Sequence, residues 1–351
     1  MHRYRNQPRR IQLTDMQAYQ FTEFSERAKA NVFDFKLNGD QIAKLSADLE
    51  DIPTREPDHD GDAKVLDGVT FTHHFVDAPG DYDVVNWHYV TCGQGKPIVF
   101  LHGIPDSWYM WHHQMAVLSK DYHCIAVDLK GYGQSSKEMG DYRHEGASEQ
   151  LFAMLQTIGV DKFFLVGHDR ACVQTDFIAA NHVENVLGYA RTEQHFYHFN
   201  PVLAPQFELF RDAAYNHSLD DAKRVVYMAY TSLTRLPVPK EELARIIQEF
   251  SYPGIAKAVP RYYNSCSPLQ EWYVRRQRLM LAWSCPVMLL QVYDSPSQPR
   301  EFFEDVEQHM PNTKAVKLKF IPGGHFWPLE SPKEATEGIR NMIALAAEYE
   351  A

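Results

Sequence analysis

Six short apolar runs, spread from residue 97 to residue 321, constrain the fold of this chain more than any other feature. They are Pro97–His102, His123–Leu129, Lys162–His168, Val186–Ala190, Pro286–Tyr293 and Ala315–Ile321. Segments with a helical pattern separate most of them, for example Glu145–Gly159, Ala171–Asn181 and Pro332–Tyr349. Runs that are apolar on both faces and joined by helices are typical of a parallel sheet covered on both sides. The sequence therefore predicts an α/β fold with a mostly parallel sheet flanked by helices.

The alternation of apolar runs and helices is interrupted between about Gln194 and Ser284. That stretch has a helical pattern and is rich in Tyr, Phe and His, which indicates a helical cap inserted before the penultimate strand. Upstream of the six runs, Val69–Val76 and Val84–Thr91 are typical of strands, and a charged, proline-containing linker precedes them. We expect the following parts: an N-terminal extension and linker at 1–62, a core at 63–193 and 285–351, and a cap at 194–284.

The composition of the 351 residues argues against several classes of partner. Asp and Glu (46) outnumber Lys and Arg (35), and the formal charge of −11 makes nucleic acid a poor partner. No stretch reaches the roughly 18 apolar residues of a membrane-spanning helix. The five cysteines are scattered without metal-ligand or disulfide spacing, so we expect buried free thiols and a cytoplasmic protein. They are Cys92, Cys124, Cys172, Cys266 and Cys285.

One junction between a predicted strand and a predicted helix presents a charged residue. The segment Phe163–Cys172 reads FFLVGHDRAC, so Asp169 stands between the end of an apolar run and the start of a helix. A sharp strand-to-helix turn needs small residues two positions before and after the presented residue, because the backbone passes close to itself. Gly167 and Ala171 meet this requirement. The pattern is that of a nucleophile elbow with Asp in the place of Ser.

An aspartate at such a turn favours a particular chemistry. A carboxylate is already anionic at neutral pH and attacks without help from a base. Attack on an sp3 carbon that carries a leaving group forms an alkyl ester with the enzyme, and water activated by a histidine hydrolyses that ester. Epoxide opening and carbon–halogen cleavage both fit this scheme, and neither needs a metal or an organic cofactor. The sequence thus predicts Asp169 as a nucleophile acting on a small molecule.

Two glycine-containing motifs supply further candidate residues. The motif HGIP at His102–Pro105 follows an apolar run upstream of Asp169. The motif IPGGHFW at Ile321–Trp327 places His325 in a loop after the last predicted strand. Because the base of an elbow site follows the nucleophile and the acid along the chain, His325 is the expected base.

Taken together, these residues resemble the α/β-hydrolase superfamily, specifically its epoxide hydrolase and dehalogenase branch, over about Val84 to Tyr349. The motifs that carry the resemblance are HGIPDSWYMWHHQ (His102–Gln114), DLKGYGQSS (Asp128–Ser136) and VPRYYN (Val259–Asn264). The resemblance implies an α/β-hydrolase fold that uses no cofactor. It also implies that the backbone N–H groups of Ile104 and Arg170 form an oxyanion hole for ester hydrolysis.

The acid that orients His325 has two candidates. Glu193 follows the strand after the elbow helix, and Asp294 follows the penultimate strand, where many members of the fold carry this acid. In the usual pattern the acid stands four residues before a proline, but Ser295 occupies that position before Pro299 and Asp294 is one residue early. The sequence therefore favours Glu193 and leaves Asp294 open.

The resemblance also implies contacts with the substrate in and near the cap. Tyr263 stands where epoxide hydrolases carry a tyrosine that hydrogen-bonds the epoxide oxygen. Trp108, in the motif that follows HGIP, is a further expected contact. A second cap tyrosine is expected as well, with Tyr215, Tyr227 and Tyr230 as candidates.

The segment Gly167–Arg170 resembles a different set of enzymes, the fluoroacetate dehalogenases. In those enzymes the arginine after the nucleophile binds the substrate carboxylate, although Val173 stands where a second such arginine is expected. We predict an epoxide hydrolase in which Arg170 recognises a polar or anionic group, with a haloacid dehalogenase of the fluoroacetate type as the alternative. Lactone or ester hydrolysis and a binding role on the same fold are further alternatives, and a homodimer is a possible assembly.

Overall fold

The computed structural model describes residues 40, 44, 47, 52–80, 84–200, 207, 210–211, 219–265, 267–293, 295 and 297–349. Strands within these residues are β1 (Ala63–Leu66), β2 (Val69–Pro79), β3 (Val84–Cys92), β4 (Lys96–Leu101), β5 (Tyr122–Val127), β6 (Phe163–His168), β7 (Val186–Thr192), β8 (Val287–Val292) and β9 (Val316–Ile321). They form one sheet in the order β1-β2-β3-β5-β4-β6-β7-β8-β9.

The predicted mostly parallel sheet is confirmed. Strands β4 to β9 run parallel to their neighbours within this group, whereas β1, β2 and β3 add an antiparallel extension at one side. Every residue of β6 and β8 is buried, as expected for strands covered on both faces. The carboxyl ends of the parallel strands share one edge of the sheet, which is where α/β proteins of this kind bind their ligands.

The α-helices of four or more residues within the described residues are α1 (His112–Leu118), α2 (His144–Thr157), α3 (Ala171–Asn181), α4 (Leu219–Leu233), α5 (Lys240–Glu249), α6 (Ile255–Ser265), α7 (Pro268–Val274), α8 (Trp327–Glu330) and α9 (Pro332–Ala347). In the core, α1 packs against α9, and α2 packs against α3. Helix α3 begins and ends at the predicted residues. Strand β1 and helix α1 were not predicted, because four and seven residues are too few to establish a period.

The helical insertion before the penultimate strand is confirmed. Helices α4 to α7 lie in the chain between β7 and β8, and α7 continues into a π-helical turn at Arg275–Leu279. The insertion contacts the carboxyl edge of the core, since Tyr262 Oη donates to the carbonyl of Lys130 (2.8 Å). The N–H of His325 likewise donates to the carbonyl of Leu233 at the end of α4 (2.9 Å). The exact limits of the cap, 194–284, stay a prediction.

The expected state of the cysteines is met where the structure describes them. Cys92, Cys124, Cys172 and Cys285 are buried free thiols, and Cys266 lies outside the described residues. Among the helices of the described ranges, none combines the length and the apolar character that crossing a bilayer requires.

Candidate active site

The junction between β6 and α3 is a sharp turn that presents Asp169. This residue has a φ of +49°, a region that residues other than glycine rarely occupy, and its N–H donates to the carbonyl of Thr192 (3.1 Å). A Cβ atom on Gly167 would lie 2.6 Å from Oγ1 of Thr175, so a larger residue there would displace the start of the helix. Ala171, two residues after Asp169, is fully buried. The turn therefore holds the Asp169 side chain at the carboxyl edge of the sheet.

The loop after β4 reaches the same point. The N–H of Ile104 donates to Oδ1 of Asp169 (3.1 Å). A Cβ atom on Gly103 would lie 2.5 Å from Cβ of Asp169, so only glycine allows this close approach. Arg170, the other expected oxyanion donor, is the residue immediately before the first residue of α3. The structure thus brings the N–H of Ile104 directly onto the carboxylate of Asp169.

His325 lies between two carboxylates. Its Nε2 is 3.6 Å from Oδ2 of Asp169, and its Nδ1 is 3.3 Å from Oε2 of Glu193. The Nε2–H of His168 donates to the His325 carbonyl (2.7 Å), which fixes the loop over β6. Burial alone would lower the pKa of His325, but the hydrogen bond with Glu193 and the charges of Asp169 and Glu193 outweigh it, and the pKa is raised.

Glu193, which faces the imidazole of His325, is fixed by burial and by hydrogen bonds. It is fully buried, has a φ of +48°, and accepts hydrogen bonds from the N–H of Val292 (3.2 Å) and from Oγ of Ser295 (2.8 Å). These donors give a buried carboxylate the hydrogen bonds that burial would otherwise deny it. The other candidate acid, Asp294, lies outside the described residues. The structure therefore brings together Asp169, His325 and Glu193.

Sequence reasoning missed Glu330, which braces the loop that carries His325. Its Oε1 accepts from the N–H of Phe326 (3.1 Å), and its Oε2 accepts from the N–H groups of Gly324 (2.8 Å), Arg235 (2.6 Å) and Leu236 (2.8 Å). One buried carboxylate thus joins the loop that contains His325 to the segment that follows α4. The signal available in the sequence was its position in HFWPLESP, five residues after the histidine.

The side chain of Arg170 is paired with a residue that sequence reasoning also missed. Its guanidinium donates to both carboxylate oxygens of Glu271 in α7 (2.8 and 2.7 Å) and to Nε2 of His144 (2.7 Å). It also lies over the ring of Tyr263, 4.9 Å from the centroid. Arg170 holds the pKa of Glu271 well below its usual range, although burial alone would raise it. The expected anion-binding group therefore already binds a carboxylate of the protein.

Tyr263 presents a free hydroxyl close to these charges. The side chain is buried, and its Oη has no hydrogen-bond partner within the described ranges. Burial raises the pKa of Tyr263 well above its usual value, and the charges of Arg170 and Asp169 act on it as well. Burial likewise raises the pKa of Tyr132, and Tyr263, Arg170 and Asp169 act on it as well. Sequence reasoning did not single out Tyr132, which lies in the DLKGYGQSS motif. Both phenols are neutral at ordinary pH and can act as hydrogen-bond donors.

The candidates for a second cap tyrosine have different positions. Tyr215 lies outside the described residues. Tyr230 stacks on Phe326 with 3.8 Å between the ring centroids, and its hydroxyl donates to Oδ2 of Asp106. Burial raises the pKa of Asp106 to about 8. Tyr230 is therefore adjacent to the loop that carries His325, but its hydroxyl is already engaged.

Trp108 lies in a different environment from the other expected substrate contacts. Its ring packs against Phe71, His73 and Tyr109 and is fully buried, and the backbone N–H of Trp108 donates to Oδ1 of Asp128 (2.9 Å). Its role as a substrate contact stays a prediction. The groups of histidines and carboxylates that could hold a metal ion in the described ranges include neither Asp169 nor His325.

Comparisons with known proteins agree with this architecture. A family model described as the alpha/beta hydrolase fold matches residues 96–332. Epoxide hydrolase 4 of Mus musculus is 27% identical over 222 residues, 56% of this chain and 62% of the relative. A soluble epoxide hydrolase of Corynebacterium sp. strain C12 is 39% identical over 82 residues, 23% of this chain and 29% of the relative. The matched region thus spans less than two thirds of either curated relative.

Solved structures share the fold at low sequence identity. An epoxide hydrolase of Bacillus megaterium in complex with an inhibitor superimposes with a TM-score of 0.65 at 21% identity, covering 77% of this chain and 100% of that one. An esterase of Thermogutta terrifontis gives a TM-score of 0.63 at 20% identity, covering 78% of this chain and 99% of that one. The chain belongs to the α/β-hydrolase fold family, and the curated relatives named above are epoxide hydrolases.

Proposed function

We propose that the protein is an epoxide hydrolase that works through an alkyl ester on Asp169. The observation that carries this proposal is the presentation of a carboxylate, rather than a hydroxyl, at the elbow, with Nε2 of His325 3.6 Å from it. A carboxylate attacks an epoxide carbon directly, whereas an ester hydrolase of this fold needs a serine activated by its base. The curated relatives support the same reading.

The proposed first step is ring opening. The Asp169 carboxylate forms a bond to one epoxide carbon, the bond between that carbon and the ring oxygen breaks, and the oxygen takes a proton from a hydroxyl. Tyr263 is the proposed donor, because its buried Oη has no partner among the described residues and lies in the field of Asp169. The product of this step is a hydroxyalkyl ester of Asp169.

The proposed second step is hydrolysis of that ester. His325 takes a proton from water, and the hydroxide attacks the ester carbonyl of Asp169. Glu193 stabilises the imidazolium that forms, as the acid of a catalytic triad does. The N–H of Ile104, which already contacts Oδ1 of Asp169, would stabilise the oxyanion together with the N–H of Arg170. Collapse breaks the bond between the ester carbonyl carbon and the alkyl oxygen, and the leaving oxygen takes the proton of the His325 imidazolium. The proton of the resulting Asp169 carboxyl group returns to the Tyr263 phenolate, so the diol leaves and all three side chains regain their starting states.

The Arg170–Glu271 pair favours a neutral substrate. A haloacid would bind Arg170 through its carboxylate, but both oxygens of Glu271 already occupy the guanidinium in a buried site. A substrate anion would have to displace this bidentate pair and leave Glu271 without its partner. Epoxide opening needs no such displacement, so we favour it over dehalogenation.

A cytoplasmic location and a homodimer remain part of the proposal.

The test is to trap the ester. His325→Gln is incubated with a panel of neutral epoxides and short haloacids, and the intact mass of the protein is recorded. A gain equal to the whole epoxide, mapped to Asp169 and absent in Asp169→Asn/His325→Gln, is the expected result. A gain equal to a haloacid minus hydrogen halide would show dehalogenation instead. Absence of any adduct, together with an inactive wild type, would contradict the proposal.

A further inference from the structure

A group of ionisable side chains outside the candidate active site converges from three parts of the fold. Asp67 lies in the turn between β1 and β2, His112 and His113 begin α1, and Glu242 lies in α5 of the cap. The Nε2 atoms of His112 and His113 are each 3.5 Å from Oε1 of Glu242. Nδ1 of His113 is 2.6 Å from Oδ2 of Asp67. Two imidazoles therefore direct their Nε2 atoms at one carboxylate oxygen.

In both imidazoles Nδ1 makes a hydrogen bond of its own, so Nε2 is the atom that a metal would bind. Nδ1–H of His112 donates to the carbonyl of Tyr109 (2.7 Å), which leaves its Nε2 with a lone pair. Nδ1–H of His113 donates to Asp67 in the same way. Metal-binding histidines commonly donate their second ring N–H to a carbonyl or a carboxylate, which fixes the ring. Tyr109 also stacks on the ring of His112 with 4.2 Å between centroids.

The two carboxylate oxygens of Glu242 have different surroundings. Its Oε2 is buried and has no hydrogen-bond partner within the described ranges. The Nε2 atoms of the two imidazoles lie against its other oxygen, Oε1. An anionic carboxylate with one unpartnered buried oxygen, facing two imidazoles, is a set of donors that a cation would complete.

The spacing suits a small divalent ion. Zinc bound by nitrogen and oxygen at roughly 2.0–2.1 Å in a tetrahedron places its ligand atoms roughly 3.3–3.4 Å apart. The two distances of 3.5 Å from Oε1 of Glu242 approach this value. Oδ2 of Asp67, 3.8 Å from Nε2 of His112, lies beside the same point. Imidazole and carboxylate ligands together favour Zn²⁺ and similar transition metals over Ca²⁺ or Mg²⁺.

We propose that His112, His113 and Glu242 bind a divalent transition-metal ion of the Zn²⁺ class, with Asp67 orienting His113. Such an ion would join the cap to the core, because Glu242 belongs to α5 and the histidines to α1. The site is independent of the proposed hydrolysis, since none of these residues contributes to the group formed by Asp169, His325 and Glu193. Its role would be structural.

A second group in the described ranges provides a matched control. His198 and His309 both place Nε2 against Asp305, at 2.9 and 3.1 Å. Here each Nε2, the atom that would have to bind a metal, lies at hydrogen-bonding distance from the one carboxylate. This arrangement is satisfied as an ordinary pair of hydrogen bonds. We expect no high-affinity metal site at this second group.

The test uses the untagged full chain after treatment with a chelator. Isothermal calorimetry with Zn²⁺ is expected to show one equivalent bound, and Co²⁺ is expected to give the visible absorption of a tetrahedral nitrogen and oxygen site. Glu242→Gln and His113→Gln should weaken Zn²⁺ binding at least tenfold, whereas Asp305→Asn should leave it unchanged. Neither readout depends on turnover, so failure here is distinguishable from failure of the proposed hydrolase activity.

Two outcomes would overturn the proposal. One is the absence of Zn²⁺ binding by the metal-free wild type, and the other is binding that Asp305→Asn abolishes and Glu242→Gln does not. If Glu242→Gln or His113→Gln fails to fold, Asp67→Asn serves as the second variant. Asp67 is 39% exposed by side chain in a hairpin turn, so its replacement leaves the core intact. Zn²⁺ affinity unaltered in Asp67→Asn would then count against the site.

Discussion

Oγ of Ser295 donates a 2.8 Å hydrogen bond to Oε2 of Glu193, the same oxygen that lies 3.3 Å from Nδ1 of His325. Ser295 occupies the chain position at which the usual pattern of the fold has the acid. In this protein the hydroxyl at that position instead supports a carboxylate from the end of β7. The N–H of Val292 binds the other oxygen of Glu193 (3.2 Å). The carboxylate is therefore held from both sides and directed at the imidazole.

From this arrangement we predict that Glu193→Gln lowers kcat for epoxide hydrolysis by about three to four orders of magnitude. An amide cannot stabilise the imidazolium that forms on His325, so ester hydrolysis becomes slow while ring opening continues. Stopped-flow kinetics should show the alkyl-enzyme accumulating in a burst. Ser295→Ala, which removes only the supporting hydroxyl, should have a much smaller effect. If Glu193→Gln keeps the wild-type kcat and Asp294→Asn loses activity, the acid that orients His325 is Asp294 and not Glu193.

A second prediction concerns the hydroxyl of Tyr263. Tyr263→Phe should lower the rate of ester formation by about 10²-fold or more, because general acid catalysis contributes effects of that size. Tyr262→Phe is the matched control, since it changes the adjacent residue of the same helix. The hydroxyl of Tyr262 donates to the carbonyl of Lys130 and has no expected chemical role. Single-turnover rates with an excess of enzyme would measure the effect, and equal rates in the two variants would refute it.

The parts of the site that could be predicted are those fixed by local backbone requirements. Asp169 stands between Gly167 and Ala171. Because the sharp turn needs small residues at those two positions, it can be recognised from the sequence. Helix α3 accordingly begins and ends at the predicted residues. The position of His325 could be predicted in a similar way, because it follows two glycines in the loop after the last strand.

The parts that could not be predicted are the long-range pairs of buried charges. Glu271 binds Arg170 across 101 positions of the chain, and Glu330 receives N–H groups from the segment after α4. Periodicity indicates which face of a helix is buried, but it does not indicate which partner a buried carboxylate will find. The anion-binding role expected for Arg170 depended on the absence of such a partner, and Glu271 changes that expectation.

The Arg170–Glu271 pair leads to a prediction about stability. Both side chains are nearly buried, so Glu271→Gln should lower the free energy of unfolding by about 3–5 kcal/mol by leaving the guanidinium without its counter-charge. Glu145→Gln is the control, because the side chains of Glu145 and its partner Arg278 are 41% and 39% exposed. An exposed pair of this kind contributes about 0–1 kcal/mol. Urea denaturation of both variants would measure the difference, and equal losses would contradict it.

The same substitution should change substrate preference. In Glu271→Gln the cation of Arg170 becomes available to a substrate anion, so KM for an epoxide that carries a carboxylate should fall relative to KM for its neutral ester or amide. The wild type should prefer the neutral compound. Steady-state kinetics on a matched pair of substrates would measure this ratio. If the wild type already prefers the carboxylate, the substrate displaces Glu271 from Arg170. That result would favour haloacid dehalogenation, the alternative function.

The final prediction concerns pH. Ester hydrolysis needs neutral His325 to accept a proton from water, so kcat should rise with pH through the pKa of this group. In the free protein burial lowers that pKa, but the hydrogen bond to Glu193 and the charges of Asp169 and Glu193 outweigh it, and the pKa is raised. In the alkyl-enzyme Asp169 is an uncharged ester, so Glu193 is the group that still raises the pKa and sets the acid limb. In Glu193→Gln the limb should move to lower pH. A raised pKa also adds stability that is fully present below 6.5 and is lost as pH rises through the folded value. The difference in unfolding free energy between wild type and His325→Gln should therefore shrink with rising pH. An acid limb that does not move in Glu193→Gln would contradict the assignment of His325 as the base.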